Sequence, residues 1–440
     1  MKALSYWGVA VSLMTTVSAV ALTPPTFAQD ANPEVLAEKL KLLELEIEKL
    51  KQQLQKTEQK AEKGEKIAKK ANSKVAYLEE KSETIRPSSW HLAGYADVGI
   101  EVSNGENSDT FTSGKFNPAF HFQYKDLILF ESELEISTSN TGETEIDVEY
   151  SQLDFLLHDN AVLVAGKFLS PVGQFQERLH PSWINRAVNA PAGFGHGGIQ
   201  PLSEVGLMLR GGVPIGNKLF TYSVAIGNGP RTGHDGVELE GFGRDDNSNK
   251  GLSGRFAFFP VDEFEIGASF LTAKVLEEDA DGESLIAASI EGGSEDPTNS
   301  TSRPYNLWGA DFAYTRGNWD IRGEYLNAKL ERDGPNNASV SEPINDLKWE
   351  AWYAQAAYRL SGLTNSTFID KLEPVVRYGR FTAEGDHEME DELSEKRFNL
   401  GLNYWATPSV VVKTGLEFRS YLAEHREDDT RLQLLMSYGF

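Results

Sequence analysis

Charged side chains at every second position are the part of this sequence able to act on other molecules. Arg359, Arg377, Arg397, Lys413, Arg419 and Arg431 each fall on the polar phase of a segment whose other phase is apolar. Fixed guanidinium and ammonium groups spread along one wall attract anions and hand them on; they make and break no bonds. Counted from the ends that meet short connections, Arg359 and Lys413 lie low, Arg377 midway, and Arg397, Arg419 and Arg431 high. Glu131, Glu133 and Glu135 hold the polar phase of an earlier segment. Acids on one wall and bases on another equally describe a transverse field that only orients polar solutes, and both readings stay open. The longest connection, 169–203, sets Glu177, Arg178, His180, Trp183 and Arg186 among prolines and glycines. Folded inward it would narrow an aqueous passage; on the outside it would be an ordinary loop at a subunit contact.

Other chemistries fail on spacing or on supply. The chain has no cysteine, which excludes disulfides, thiolate metal sites and thiol nucleophiles. Its formal charge of −24 disfavours a nucleic-acid partner, because phosphate binding needs a basic surface. Gly193-Phe194-Gly195-His196-Gly197-Gly198 spells a dinucleotide fingerprint, but Pro191 precedes it and Pro201 follows, where a strand and a helix are required. Asp245, Asn247 and Asn249 imitate the start of a calcium loop, with Lys250 at the glycine position and Phe256 at the bidentate acid. The histidines form no H-x-x-x-H pair and no nucleophile elbow occurs. The expectation is a protein without catalytic residues, metal or cofactor.

Three segments differ in their patterning. Lys2, the apolar stretch Val9–Leu22 and the small-x-small run Thr26-Phe27-Ala28 predict a signal peptide over 1–28; the alternative is an N-terminal membrane anchor. Residues 29–86 are rich in Glu, Lys, Gln, Leu and Ala, and Leu36, Leu40, Leu43, Ile47, Leu50 and Leu54 open a 3.5-residue period that runs to Ile85. That period predicts a left-handed coiled coil, a periplasmic rod of roughly 75 Å. Thr57, Ala61, Gly64, Ala68 and Ala71 make its middle weak and leave its oligomer number poorly specified. No run of ~20 apolar residues follows, so no spanning helix is expected.

From residue 87 to 440 the period is two. Leu432, Leu434, Met436, Tyr438 and Phe440 share one phase, and Arg431, Gln433 and Ser437 the other. A half-buried strand in a soluble sandwich alternates in the same way. Three features favour a membrane barrel instead. Such runs number sixteen, an even count as a bacterial barrel requires. Their connections alternate between short turns and long loops, and the long 275–305 and 382–395 are acidic. The chain stops on Phe440 with Tyr438 two before it, an aromatic assembly signal for outer-membrane barrels. Trp90, Trp319, Trp352, Tyr404 and Trp405 stand near strand ends, where interfacial girdles belong. The fold expected is all-β: a 16-stranded antiparallel transmembrane β-barrel preceded by an N-terminal α-helical coiled coil.

Short pieces of sequence narrow this further. His180-Pro181-Ser182-Trp183-Ile184-Asn185-Arg186, Ala190-Pro191-Ala192-Gly193-Phe194, Leu202-Ser203-Glu204-Val205-Gly206 and Glu373-Pro374-Val375-Val376-Arg377-Tyr378, set in this architecture, resemble the phosphate-selective porin O/P family. The resemblance implies a homotrimeric outer-membrane channel for small hydrophilic solutes, with small anions and phosphate among the candidates. Outer-membrane lipid and the barrel assembly machinery would be its partners. It carries over no anion-binding residue individually. The competing expectations are a structural tether, and an adhesin or receptor with a plugged or narrow barrel.

Overall fold

The computed structural model describes helical positions scattered between Lys41 and Lys74, and residues 88–440 except 106–108, 140, 234–235, 240–241, 246, 277–301, 332–345, 385–393 and 424–425. The leader 1–28, most of 29–86 and the acidic segments 277–301 and 385–393 therefore lie outside the described residues. The chain divides into two units, Met1–Ile85 and Arg86–Phe440. In the first, every described position is helical and exposed, Ile47 and Leu50 of the apolar seam included.

The second unit is a closed barrel of sixteen antiparallel strands. Its first half comprises β1 (Ser88–Ser103), β2 (Thr110–Tyr124), β3 (Ile128–Thr138), β4 (Thr144–His158), β5 (Ala161–Leu169), β6 (Ser203–Ile215) and β7 (Lys218–Gly227). A small hairpin, β8 (Arg231–Gly233) and β9 (Gly236–Glu238), stands apart from the barrel sheet. The barrel resumes with β10 (Gly251–Val261), β11 (Phe264–Leu276), β12 (Ser302–Arg316), β13 (Trp319–Leu330) and β14 (Leu347–Tyr358). It ends with β15 (Leu372–Glu384), β16 (Glu395–Thr407), β17 (Val410–Tyr421) and β18 (Asp429–Gly439). Pairing of β1 with β18, from Tyr95↔Gly439 to Ser103↔Arg431, closes the cylinder, and closure leaves no free edge.

The period-two pattern sorts the faces as expected. On β18, Leu432, Leu434, Met436 and Tyr438, and Phe440 just after it, are exposed outward, and Arg431, Gln433, Leu435 and Ser437 are buried inward. The final residue is tied into the seam: Phe440 N–H donates to Gly94 O (2.9 Å), and Gly94 N–H donates to Phe440 O (3.0 Å). Phe440 stacks on Phe116 and lies against Tyr438 on the outer surface.

Three local details differ from the expected layout. The β14–β15 connection, 359–371, is long although it lies on the short-turn rim, and a 3-10 turn at Ile369–Lys371 delays β15 to Leu372. The β3–β4 link, 139–143, is short although it lies on the long-loop rim. Trp405 is inside the barrel and not in an outer girdle. It is buried on the inward phase of β16, its Nε1–H donates to Glu373 Oε1 (3.2 Å), and Arg186 and Arg359 lie 5.1 and 4.8 Å from its ring.

The lumen is filled unevenly. Val172, Phe175, Leu179, Ala192, Phe194 and Ile199 of the 169–203 connection form one apolar core with inward residues of β11–β15, among them Leu271, Tyr305, Leu307, Leu326, Leu330, Trp349 and Phe381. Val237, Leu239 and Phe242 of the 228–250 connection join that core. Burying this much apolar surface, at about 25 cal/mol per Å², drives the loop inward and holds it there.

Candidate functional site

The 169–203 loop leaves β5, turns through a short helix, α1 (Phe175–Arg178), and crosses the lumen. Its first turn is latched by Glu324 of β13. The carboxylate accepts the backbone N–H groups of Gln174 (3.2 Å) and Phe175 (3.1 Å) and the Gln200 side-chain amide (3.1 Å). Gly173 passes this acid at φ +71°, and a Cβ there would stand 1.7 Å from Glu324 Oε1, so the close approach requires glycine. Gln174 Nε2 donates to the strand carbonyls of Phe312 (3.0 Å) and Gly323 (3.1 Å). Glu204 fixes the loop's return, accepting the hydroxyls of Ser170 (2.6 Å) and Ser253 (2.7 Å).

The residues singled out in this loop are mostly fasteners. Arg178 pairs with Glu265 (2.8 Å), which also pairs with Arg255 (2.9 Å), and lies 3.6 Å from Glu177. Arg186 reaches Asp320 (3.7 Å) and Glu373 (3.6 Å). The His180 Nδ1–H donates to Gln176 O, so its Nε2 carries the lone pair, and that buried atom has no hydrogen-bond partner. Burial pushes the His180 imidazole down to about 4, which keeps the ring neutral at neutral pH.

The basic residues split into two groups. Arg377 and Lys413 point inward, yet at 1% and 0% exposure they stand under the loop, not in open water. Arg377 donates to Asn189 O (2.5 Å) and Asn185 Oδ1 (3.4 Å). Lys413 Nζ donates to the carbonyls of Ser182, Asn185 and Ala187. A loop inside a barrel must find donors for its carbonyls, and these two cations supply them. Arg359 is half-buried near the short-turn rim, 3.4 Å from Glu373.

Arg397, Arg419 and Arg431 stand higher. Arg397 pairs with Glu395, Arg419 with Glu417 (2.5 Å), and Arg431 with Asp429 (2.8 Å) and Glu101 (3.0 Å). Arg397, Arg419 and Arg426 border a cavity of about 210 Å³ beside the glycine turn of the loop. That turn, Gly193–Gly198, closes on itself through Ile199 N–H to Gly193 O (3.0 Å); it is a tight loop and no nucleotide cradle. The Asp245 carboxylate is likewise occupied, by the N–H groups of Asn247 (3.0 Å) and Ser248 (2.7 Å) and by Lys250.

The acids face the other side. Glu131 lies 3.4 Å from His121 and 3.6 Å from Arg210; Glu133 accepts from Asn117 (3.4 Å); Glu135 pairs with Lys115 (2.6 Å). A second cavity, about 320 Å³, separates this wall from the loop, and Asp97, Glu101, Lys115, Glu135, Glu149 and His196 are among its lining residues. The sequence pattern did not single out Glu324, Lys115 or Glu149, and marked Glu204 only within the familial piece Leu202-Ser203-Glu204-Val205-Gly206. Glu324 carried one signal: on the inward phase of β13 it stands where the charged run Asp320, Arg322, Glu324 meets the apolar run Leu326, Ala328, Leu330.

The structure is thus a barrel with one inner half packed and the other bordering charged cavities. The chain matches the family described as phosphate-selective porin O and P over residues 113–432. No curated protein matches it in sequence. Among solved structures, it is similar to OmpT (in-vitro folded), an outer membrane protein of Vibrio cholerae, at 12% identity and a TM-score of 0.50, covering 81% of this chain and 98% of that one. An anion-selective porin from Comamonas acidovorans aligns at 13% identity and a TM-score of 0.48, covering 80% and 100%. The outer membrane channel DcaP of Acinetobacter baumannii aligns at 10% and 0.49, covering 80% and 97%. With the family matched across most of the barrel and the sixteen strands closed as a porin's are, this chain belongs to the phosphate-selective porin O and P family.

Proposed function

We propose that this outer-membrane porin passes small hydrophilic solutes passively and favours anions, phosphate among them. The observation that carries the preference is the cavity bordered by Arg397, Arg419 and Arg426, where Arg397 pairs with Glu395, Arg419 pairs with Glu417 and Arg426 lies over the Tyr421 ring. In a constriction of low dielectric a small excess of fixed positive charge outweighs distant charge of the other sign. Arg377 and Lys413 serve this reading indirectly, by holding the loop that defines the constriction. A second reading has its own observation. Asp97, Glu101, Glu135 and Glu149 border the opposite cavity, and a path along that wall would pass cations.

Reversal potential in a salt gradient separates them. Replacing Arg397 and Arg419 together by Glu shifts it towards cations if anions travel on the basic side. No shift there, with a shift towards anions for Asp97→Asn plus Glu101→Gln, assigns the current to the acidic wall.

The same reading includes a leader cleaved after residue 28, a periplasmic coiled coil over 29–86 and a homotrimer whose assembly uses the barrel assembly machinery. The apolar seam, of which Ile47 and Leu50 are exposed in the single chain, supports the oligomer, because a helix with such a stripe buries it against copies of itself. We assign the protein no catalytic role and no cofactor.

A further inference from the structure

We propose that the pore holds a binding site for a divalent transition-metal ion such as zinc, formed by Glu135, Glu149 and His196 in a cavity that His180 also lines. One donor atom from each of the first three lies within 4.8 Å of the others, and His196 Nε2 is 3.9 Å from Glu149 Oε1. Ligands around a tetrahedral zinc stand about 3.4 Å apart, given bonds of about 2.1 Å. The remaining contraction is small, and the His196 side chain is 56% exposed.

An independent observation points to the same place. His180 lines the cavity that Glu135, Glu149 and His196 also line. Its Nδ1–H is committed to Gln176 O, and its Nε2 lone pair is buried without a partner. A ring whose far nitrogen is held by a backbone carbonyl is oriented as a metal-ligating histidine is. A donor set of one imidazole and two carboxylates, with a second imidazole on the same cavity, suits zinc, copper or nickel better than magnesium or calcium, which prefer oxygen alone. Lys115, 2.6 Å from Glu135, holds the place of a cation there and would compete with the metal.

The ligands come from both sides of the cavity: β3 and β4 supply the acids, and the 169–203 loop supplies His196. A bound ion would bridge wall and loop, narrow the passage and cancel part of the acidic field. This consequence for conduction rests on the channel reading; the binding site does not.

The test uses the full-length protein in detergent and in planar bilayers. Cobalt(II) titration should give the visible absorption of a low-symmetry nitrogen–oxygen site. Glu149→Gln and His196→Ala should each weaken it by roughly tenfold or more. His196 is exposed, so its replacement leaves the fold intact, and Lys115→Met should strengthen binding. Micromolar zinc chloride should lower the open-pore current of the native protein and not of His196→Ala. Cobalt spectra that are the same in the native protein and both variants overturn the site. A protein that carries no current before zinc is added overturns the channel reading, while the cobalt titration still decides the site.

Discussion

The inner face of β11–β15 and the inner face of β1–β4 obey the same alternation and end in opposite surroundings. On the first, Leu307, Leu326, Leu330 and Trp349 point inward and are sealed beneath the 169–203 loop. On the second, Asp97, Glu101, Glu135 and Glu149 point inward and border a cavity. Period two therefore fixes which residues face the lumen, while the chemistry of the inward phase decides whether water or protein fills the space beside them. Arg377 and Lys413 refine the rule. They are charged residues on the covered side, and they belong there because the loop's carbonyls need donors where water is excluded.

The largest effect should come from removing that clamp. Arg377→Met together with Lys413→Met leaves the carbonyls of Ser182, Ala187 and Asn189 without these donors, at about 1–3 kcal/mol for each buried group left unsatisfied. The loop should loosen, single-channel conductance should rise, and the melting temperature in detergent should fall. Unchanged conductance would mean that the apolar core and the Glu324 latch suffice, and the two halves would differ only in packing.

A smaller effect compares one residue from each half. Trp349→Ala empties part of the sealed core and should cost about 3–5 kcal/mol in urea unfolding from vesicles. Thr112→Ala, at the open cavity, should change stability by no more than about 0.5 kcal/mol. Equal costs would erase the distinction between the halves.

Much of this was legible in the sequence. The alternation of Leu432 to Phe440 against Arg431 to Ser437 gave the faces of β18, and counting such runs gave sixteen strands, because both follow from local geometry. The inward direction of Arg377 and Lys413 was legible for the same reason. Their cover was not, since it depends on contacts to Asn189 and Ser182, each nearly two hundred or more residues away in the chain. Trp405 shows the limit of position along a strand: its nearness to a rim suggested a girdle, while its phase, shared with Asn403, put it inside. The fill of the lumen had a signal in Leu326-x-Ala328-x-Leu330 and Leu347-x-Trp349-x-Ala351, where the phase opposite the lipid is apolar too.

The smallest effect on the barrel should come from the segment furthest from either half in character. Every strand pairing that closes the cylinder lies between Ser88 and Gly439, and the seam of β1 with β18 starts at Tyr95. Closure therefore draws on backbone hydrogen bonds and a lipid-facing surface that residues 34–86 do not supply. Their deletion should leave an inserted barrel with native single-channel conductance, read in planar bilayers. The oligomer should respond more than the pore: if the apolar seam adds to trimer stability, the deleted protein should dissociate at lower detergent concentration in native mass measurement. A truncated protein that fails to insert would give residues 34–86 a part in assembly itself, and the contrast between the two inner faces would then depend on a segment that contributes to neither.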